Sequence, residues 1–346
     1  MRERLQAACT NAQNALTSHF WAEEASCFRP TAPYQPEHNP CYWWQAHAID
    51  ALLDGYLRTK DDSYLVLAEK ELKGTILFNN GTLLNNWYDD MEWMALALLR
   101  MYDITGDETT LKCVQFLWRD IQTAWNDNCG GGMAWRKNQL DYKNTPANAP
   151  AAILALRLYQ RFGDEADLEW GERILTWNRD HLMDPETYYV YDGMNREGDG
   201  KIDLGWDFTY NQGVMIGASV ELYKITGNQE WLDLALNIGR RAKAVYSDAH
   251  NGVMPYEGPD DCGLFRGILV RYLVELYTVA PKTEREWIRE TLTSSAETLM
   301  NAGMTTDGLM GGHWDQAPQN GQTIDLAQHL SGLMLLEMCV KVVNIQ

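Results

Sequence analysis

The chain has 346 residues, of which 45% are hydrophobic, so a disordered chain is excluded. Lysine and arginine number 29 against 48 acidic residues, and the formal net charge of −19 argues against nucleic acid and anionic membranes as partners. The seven cysteines are odd in number, widely spaced and never arranged as Cys-x-x-Cys, which favours free thiols over disulfides or a zinc site.

The N-terminal segment predicts an amphipathic helix rather than a signal peptide. Leu5, Ala8, Ala12 and Leu16 recur at helical spacing, and the apolar core of a signal sequence is not visible. No stretch reaches the ~18 uncharged apolar residues that a membrane span needs. We therefore expect a cytoplasmic protein.

A short phrase recurs along the chain and marks the ends of successive helices. Its clearest copies are Leu98-Leu-Arg-Met-Tyr-Asp-Ile-Thr-Gly-Asp, Leu156-Arg-Leu-Tyr-Gln-Arg-Phe-Gly-Asp and Glu221-Leu-Tyr-Lys-Ile-Thr-Gly-Asn. In these copies glycine stops an apolar helix, and a residue such as Asp107 or Asp164 caps the next helix. The periodicity predicts helices at 1–22, 44–59, 63–79, 88–104, 107–125, 146–162, 165–182, 209–226, 229–246, 263–279, 283–302 and 322–343.

These paired helices predict an all-α fold, an (α/α)6 toroid or barrel of six helical hairpins in a single domain over residues 1–346. The turn within a hairpin is short, whereas the connections between hairpins are long and rich in Gly, Trp, Tyr and Asn. If the hairpins close into a ring, the long connections share one face and form a cleft. An open solenoid of the same hairpins is the alternative, and the aromatic content of the long connections favours closure.

Two adjacent acids, Asp89 and Asp90, stand where a helix is predicted to begin, in the segment Asn85-Asn-Trp-Tyr-Asp-Asp-Met-Glu-Trp. Acidic residues at a helix start are typical of capping, which is the plain structural alternative. The neighbouring Trp87, Tyr88 and Trp93 favour a sugar site instead, because a solvated cap tolerates ordinary polar neighbours.

Glycoside hydrolysis requires a pair of carboxyl groups. One protonates the leaving oxygen, and the other attacks the anomeric carbon or activates water. Retaining enzymes hold the pair about 5–5.5 Å apart, and consecutive helical residues, which project about 100° apart, permit such a separation. Repulsion between two carboxylates would keep one acid protonated, as a proton donor requires. The spacing permits retention of configuration without requiring it.

The other long connections carry candidates for substrate binding. Trp135 follows three glycines and could stack on a sugar ring, while a tight turn with a core tryptophan is the alternative. Asn211 and Gln212 carry amides that match sugar hydroxyls, whereas helix capping is the alternative for Asn211. A second acidic pair, Asp260 and Asp261, competes for the catalytic role. The predicted binding residues are Trp87, Tyr88, Trp135, Asn144, Asn148, Tyr210, Asn211, Gln212, Tyr256, Asp260, Asp261 and Phe265.

No metal and no cofactor are expected. The histidines are scattered without a His-Glu-x-x-His or comparable cluster. Residues 195–203 resemble half of a calcium-binding loop, but the twelfth position of that motif falls on Trp206, where a glutamate belongs. The run of three glycines is not a phosphate loop, because no Gly-Lys-Ser/Thr follows it.

With these segments the chain resembles glycoside hydrolase family 76, the endo-α-1,6-mannanases, from about Trp43 to Tyr272. The motifs that carry the resemblance are Trp87-Tyr-Asp-Asp-Met, Gly131-Gly-Met-Ala-Trp, Lys143 to Asn148 before Leu156-Arg-Leu-Tyr, Thr209-Tyr-Asn-Gln-Gly, and Phe265-Arg-Gly-Ile.

The resemblance implies an (α/α)6 barrel that cleaves α-1,6-linked mannose without a metal. It implies Asp89 as the nucleophile, Asp90 as the acid/base and retention of configuration, and it assigns Asp260 and Asp261 to substrate binding. The expected partner is an α-mannoside, either an oligosaccharide or a polysaccharide. For a cytoplasmic member, a short imported oligosaccharide or a different α-mannoside is an alternative to large mannan.

Two other functions remain open from the residues alone. Another (α/α)6 sugar enzyme, an epimerase or an unsaturated glucuronyl hydrolase, would use a similar helical toroid, because fold does not determine function. An epimerase would need histidine bases in the cleft, and no recognisable arrangement is formed by His47, His250, His313 and His329. A non-catalytic glycan-binding protein would keep the cleft without turnover.

Overall fold

The computed structural model describes residues 1–344 and is built almost entirely of α-helices. The described residues form α1 (Arg2–Ala15), α2 (Tyr42–Thr59), α3 (Ser63–Phe78), α4 (Tyr88–Thr105), α5 (Glu108–Ile121), α6 (Thr145–Phe162), α7 (Glu165–Leu182), α8 (Thr209–Thr226), α9 (Gln229–Ala242), α10 (Cys262–Val279), α11 (Lys282–Thr298) and α12 (Leu326–Asn344). Each of the twelve corresponds to a predicted helix, and the all-α class is confirmed.

The residues predicted to cap and to end helices are also confirmed in these roles. The Asp107 carboxylate accepts hydrogen bonds from the backbone N–H groups of Thr109 and Thr110, and so caps α5. The Asp164 carboxylate caps α7 in the same way, through the N–H of Ala166. The glycines that end α4, α6 and α8 take the left-handed conformation, with φ between 66° and 69°.

Several helices are followed by a tighter or wider turn, which explains why their predicted ends lie further along the chain. Five-residue π-helical segments follow α1, α9 and α11, at Leu16–Phe20, Lys243–Ser247 and Leu299–Gly303. A 3₁₀ turn, Gln122–Ala124, follows α5. The apolar spacing continues through these turns, so sequence periodicity does not distinguish them from regular helix.

The chain divides into two compact units. The first contains Met1–Thr82, Lys243–Tyr277 and the chain from Lys282 onward, and the second contains Leu83–Ala242 with Thr278–Pro281. The prediction of a single domain stays a prediction.

In the second unit α4, α6 and α8 lie side by side and are buried over most of their length. Each pairs with the helix that follows it, α5, α7 or α9, which buries one face only. The long connections lead into the N-termini of the buried helices. They also form an antiparallel sheet in the order β4 (Ala134–Arg136), β5 (Gln139–Asn144) and β6 (Gly193–Met194). Sequence analysis did not predict this sheet.

The first unit is organised around α12, which packs against α1, α2 and α11. Its short strands are β1 (Trp21–Ala22), which pairs with β2 (Cys27–Phe28), and β3 (Thr31–Ala32), which pairs with β7 (Ile324–Asp325). Helix α12 has the length and the mean hydropathy, 1.4, of a membrane span, but 89% of that stretch is buried inside the protein. Its apolar surface is therefore covered by neighbouring helices.

Candidate active site

Asp89 and Asp90 occupy the first turn of α4 in the second unit. The residue before this helix, Trp87, makes no side-chain capping bond. Neither acid is fully exposed. The unpaired N–H groups of the first turn favour negative charge at this position. The two acids therefore lie directly after a long connection, at a helix N-terminus, where carboxylates are stabilised.

Both oxygens of Asp89 accept hydrogen bonds. The indole Nε1 of Trp135 donates to Oδ2 over 3.0 Å, and the backbone N–H of Asp90 donates to Oδ1 over 3.0 Å. The amide Nδ2 of Asn85 donates to Oδ2 of Asp90 over 2.9 Å. The two carboxyl groups thus take separate partners, which gives each acid its own orientation. The bond to the Asp90 N–H is local to the first turn of α4, whereas the bond from Trp135 comes from a separate connection.

A third acid, Glu92, lies one turn further along α4 and is fully buried. Burial raises the pKa of Glu92 well above its usual range, and the negative charges of Asp89 and Asp90 raise it further. Burial and the two neighbouring acids therefore favour the protonated, uncharged form of Glu92 beneath the pair.

The small sheet brings Trp135 to Asp89. Trp135 is the central residue of β4, and its neighbour Arg136 forms a β-bridge with Trp87. The N–H of Lys137 donates to the carbonyl of Asn86 over 2.9 Å. The segment before α4 is therefore tied to β4 by its backbone, and this pairing sets the position of the indole.

Behind Trp135 lies a network centred on the buried Asp192. Its Oδ1 accepts from the hydroxyl of Tyr210 over 2.9 Å and from Nδ2 of Asn211 over 3.1 Å. Its Oδ2 accepts from the hydroxyl of Tyr142 over 3.3 Å and forms an ion pair of 3.3 Å with Arg196. Burial raises the pKa of Asp192, and the bonds from Asn211 and Tyr210 oppose that rise.

The Tyr142 ring joins this network to Trp135. The two rings meet edge to face, with centroids 5.7 Å apart and planes at 83°. The guanidinium of Arg196 lies over the Tyr142 ring, with Cζ 4.4 Å from the ring centroid. It also forms an ion pair of 2.9 Å with Asp203. The position of the indole that donates to Asp89 is therefore supported from behind by packed rings and ion pairs.

Other predicted binding residues in this unit bond to the protein backbone. Asn148 is fully buried, accepts from the N–H of Met133 over 2.7 Å and donates to the carbonyls of Met133 and Asn144. Gln212 pairs with both backbone groups of Val190, over 3.1 Å and 2.8 Å. These amides hold the long connections against α6 and α8.

The remaining candidates in the second unit differ in exposure. Tyr88 is 3% exposed and its hydroxyl bonds Thr123, so it lies in the core. Asn144 is also buried, at the end of β5. Trp87, by contrast, is 38% exposed. Of these three side chains, Trp87 presents the largest surface to a ligand.

The glycine run before Trp135 serves the packing of tryptophans. Gly132 has φ +84°, and a Cβ placed there would lie 2.7 Å from ring atoms of Trp177. A Cβ at Gly131 would lie 2.8 Å from the ring of Trp125. Without side chains, these glycines allow the turn to pack closely against the two indoles. This part of the segment therefore fits the alternative given above, a tight turn against core tryptophans.

The second acidic pair lies in the first unit. Oδ1 of Asp261 accepts from the indoles of Trp43 and Trp44, over 2.8 Å and 2.9 Å. The Phe265 ring lies 6.2 Å from that of Trp43. The backbone N–H of Asp260, which has φ +53°, donates to Asp325 over 3.1 Å.

Tyr256 belongs to the same unit and receives a bond of 2.8 Å from the amide of Gln328. Its ring lies 4.9 Å from that of His313. Sequence analysis did not connect Tyr256 with Gln328, nor Asp261 with the two tryptophans of α2.

Within residues 1–344 no group of three or more histidines, cysteines or acids is arranged to hold a metal ion. In the loop that resembles half a calcium site, Oδ1 of Asn195 accepts from the N–H of Gly200, and Asp199 pairs with Lys201 at 2.7 Å. These oxygens are occupied by the loop itself. No disulfide joins any of the seven cysteines, all of which are described.

Sequence reasoning missed four side chains that support the acids, namely Asn85, Tyr142, Asp192 and Arg196. Asn85 could have been identified from the sequence, because an amide four or five residues before an acid can donate to that acid in the first turn of a helix. Tyr142 lies in the connection before α6, whereas Asp192 and Arg196 lie in the connection before α8, up to 54 residues away, and no local pattern indicates that the two connections meet.

Known proteins are similar to this chain over most of its length. The model of glycosyl hydrolase family 76 matches residues 4–341. Mannan endo-1,6-alpha-mannosidase DCW1 of Candida glabrata is 26% identical over 299 residues, which span 78% of this chain and 66% of that protein. DCW1 of Saccharomyces cerevisiae is 25% identical over 324 residues, spanning 86% of this chain and 72% of its own.

Solved structures are similar over nearly the whole chain. The GH76A α-1,6-mannanase from Salegentibacter sp. HEL1_6 superimposes with a TM-score of 0.93 at 37% identity, covering 98% of this chain and 99% of that one. An inactive variant of that enzyme, with two consecutive aspartates replaced by asparagine, was solved with α-1,6-mannotriose and has the same TM-score at 36% identity.

Together with the paired helices and the adjacent acids, these matches show a glycoside hydrolase of the (α/α)6 class, and the predicted class of enzyme and the predicted fold are both confirmed. The chain belongs to glycosyl hydrolase family 76. The roles of its individual site residues stay predictions.

Proposed function

We propose that the protein is a retaining α-1,6-mannanase in which Asp89 is the nucleophile and Asp90 the acid/base. The observation that carries the proposal is the pair of hydrogen bonds on Asp89, from Trp135 and from the Asp90 backbone. Two donors favour the charged form of a carboxylate, and charge is what a nucleophile requires. The relatives named as α-1,6-mannanases and mannan endo-1,6-alpha-mannosidases suggest the substrate.

In the proposed reaction, Asp89 attacks the anomeric carbon of a mannose residue while Asp90 protonates the departing glycosidic oxygen. This gives a mannosyl ester of Asp89 and releases the rest of the chain. Asp90, now a carboxylate, then removes a proton from water, which attacks the same carbon and frees Asp89. Two displacements at one carbon leave the product with the α configuration of the substrate.

The test is hydrolysis of α-1,6-mannooligosaccharides, followed by proton NMR of the first anomer formed. The wild-type protein should release α-configured products. Asp89→Asn and Asp90→Asn should each lower kcat by roughly a thousandfold, because each removes a reacting group. The two roles separate with an aryl α-mannoside whose leaving group needs no proton. Asp90→Asn should still form the mannosyl ester from it, and Asp89→Asn should not.

Asp103→Asn is the matched control. Asp103 lies on the same helix, α4, and pairs with Arg161 at its other end. This variant should keep wild-type kinetics. Full activity in Asp89→Asn would overturn the proposal. A β-configured first product would show that the enzyme inverts the configuration and would overturn the retaining mechanism. Tight binding of α-1,6-mannooligosaccharides without turnover would favour a glycan-binding protein.

A further inference from the structure

An exposed tryptophan lies in the connection before α8. Trp206 is 43% exposed, and two residues earlier Leu204 is 76% exposed. An indole gains much free energy from burial, so an exposed indole beside an exposed leucine leaves apolar surface uncovered. A single exposed apolar residue needs no explanation, but this indole is also held in a defined position.

The position of Trp206 is set from three directions. The guanidinium of Arg196 lies over its ring, with Cζ 4.0 Å from the centroid. The Phe208 ring meets it nearly at a right angle, 86°, with centroids 5.8 Å apart. The hydroxyl of Tyr189 donates to the backbone carbonyl of Trp206 over 3.3 Å. Arg196 therefore covers one face of the indole, and 43% of the residue stays exposed.

Arg196 is itself fixed. It pairs with Asp203 at 2.9 Å and with the buried Asp192 at 3.3 Å. Its guanidinium lies between two rings, 4.4 Å from the Tyr142 centroid and 4.0 Å from that of Trp206. A platform that is held before a ligand arrives costs little entropy on binding.

The same contacts lead back to the acidic pair. Trp206 rests on Arg196, Arg196 on Tyr142, and Tyr142 on Trp135, whose indole donates to Asp89. A continuous series of packed side chains therefore links Trp206 to the proposed nucleophile. Trp206 lies in the connection that leads into the N-terminus of α8, and Asp89 lies at the N-terminus of α4 in the same unit.

We propose that Trp206 is an outer sugar platform, on which a mannose residue several units from the cleaved bond stacks its C–H face. This inference rests on the proposed function, since it places one more sugar of the same substrate. The exposed surface of the indole suits the apolar C–H face of a pyranose.

The test is the kinetics of Trp206→Ala on α-1,6-mannooligosaccharides of increasing length. For the longest substrates KM should rise roughly tenfold with kcat unchanged, because only ground-state stacking is lost. For the shortest cleaved substrate both constants should stay at wild-type values. Trp206→Phe, which keeps a ring, should recover most of the loss.

Phe162→Ala is the matched control, because Phe162 is equally exposed, at 46%, at the far end of α6. It should leave KM unchanged at every length. Equal KM values for Trp206→Ala and the wild type at every length would overturn the inference and leave the proposed function standing.

A wild-type protein without turnover would instead reject the proposed function, and calorimetry with α-1,6-mannohexaose would then decide the inference. Weaker binding by Trp206→Ala would support the platform, and equal binding would overturn it. A rise in KM that is the same at all lengths would also overturn it, in favour of a role in shaping the acidic site.

Discussion

The indole of Trp135 donates a hydrogen bond of 3.0 Å to Oδ2 of Asp89. The two residues lie 46 positions apart, one on β4 and the other in the first turn of α4. The bond exists because the backbone of β4 pairs with the segment before α4, at the bridge between Trp87 and Arg136. Its energetic importance can be measured directly.

Replacing Trp135 by phenylalanine removes the donor and keeps a ring. A hydrogen bond to a charged group contributes about 1.5–3 kcal/mol, so kcat should fall roughly tenfold or more. Steady-state kinetics on an α-1,6-mannooligosaccharide measure the change. The control is Trp118→Phe, which removes an equivalent bond of 2.8 Å from an indole to Asp167 between α5 and α7. Trp118→Phe should lower stability and leave kcat unchanged. Wild-type kcat in Trp135→Phe would show that Asp89 needs no donor from the indole.

Gly132 should tolerate alanine poorly. Its φ of +84° strains any other residue, and a Cβ would lie 2.7 Å from the ring of Trp177. We expect Gly132→Ala to lose about 3 kcal/mol or more of unfolding free energy in urea. Gly106→Ala is the control, because Gly106 has φ +68° with nothing within 4 Å of the added Cβ. That variant should lose about 1 kcal/mol, which is the backbone cost alone. Equal losses in the two variants would show that Trp177 moves aside without cost.

Glu71 should make the protein less stable as the pH rises. Burial raises its pKa from 4.5 to about 8, and bonds from Thr75 and the N–H of Phe28, each 3.0 Å, oppose that rise. The folded state therefore holds a proton that the unfolded state releases. The stabilisation from this proton is complete below pH 4.5 and is lost as the pH rises to about 8.

The variant Glu71→Gln carries no titratable proton at this position, so its unfolding free energy should depend less on pH in this range. Its unfolding free energy should decline less than that of the wild type between pH 5 and pH 8, by a few kcal/mol in order of magnitude. Chemical denaturation at several pH values measures the difference. Glu69→Gln, on the exposed side of the same helix, should follow the wild-type profile. Parallel profiles for Glu71→Gln and the wild type would contradict the assignment.

The candidate acids could be read from the sequence because their signal is local. Asp89 and Asp90 are neighbours in a helix start, and the aromatic residues around them lie within six positions. The amides were harder to interpret. Asn148 and Gln212 were predicted to bind sugar, and both make hydrogen bonds to the backbone of the long connections. An amide has the same donors and acceptors in either setting, so residue type alone does not distinguish the two.

The twelve helices, their glycine stops and the caps Asp107 and Asp164 were determined by the sequence itself, because each depends on residues within a few positions. Only the tertiary structure brought Trp135 to Asp89, Asp192 to Tyr210 and Arg196 to Trp206. These contacts join separate connections through short strands and buried polar bonds. Their stability comes from burial in the folded chain and leaves no periodic trace in the sequence.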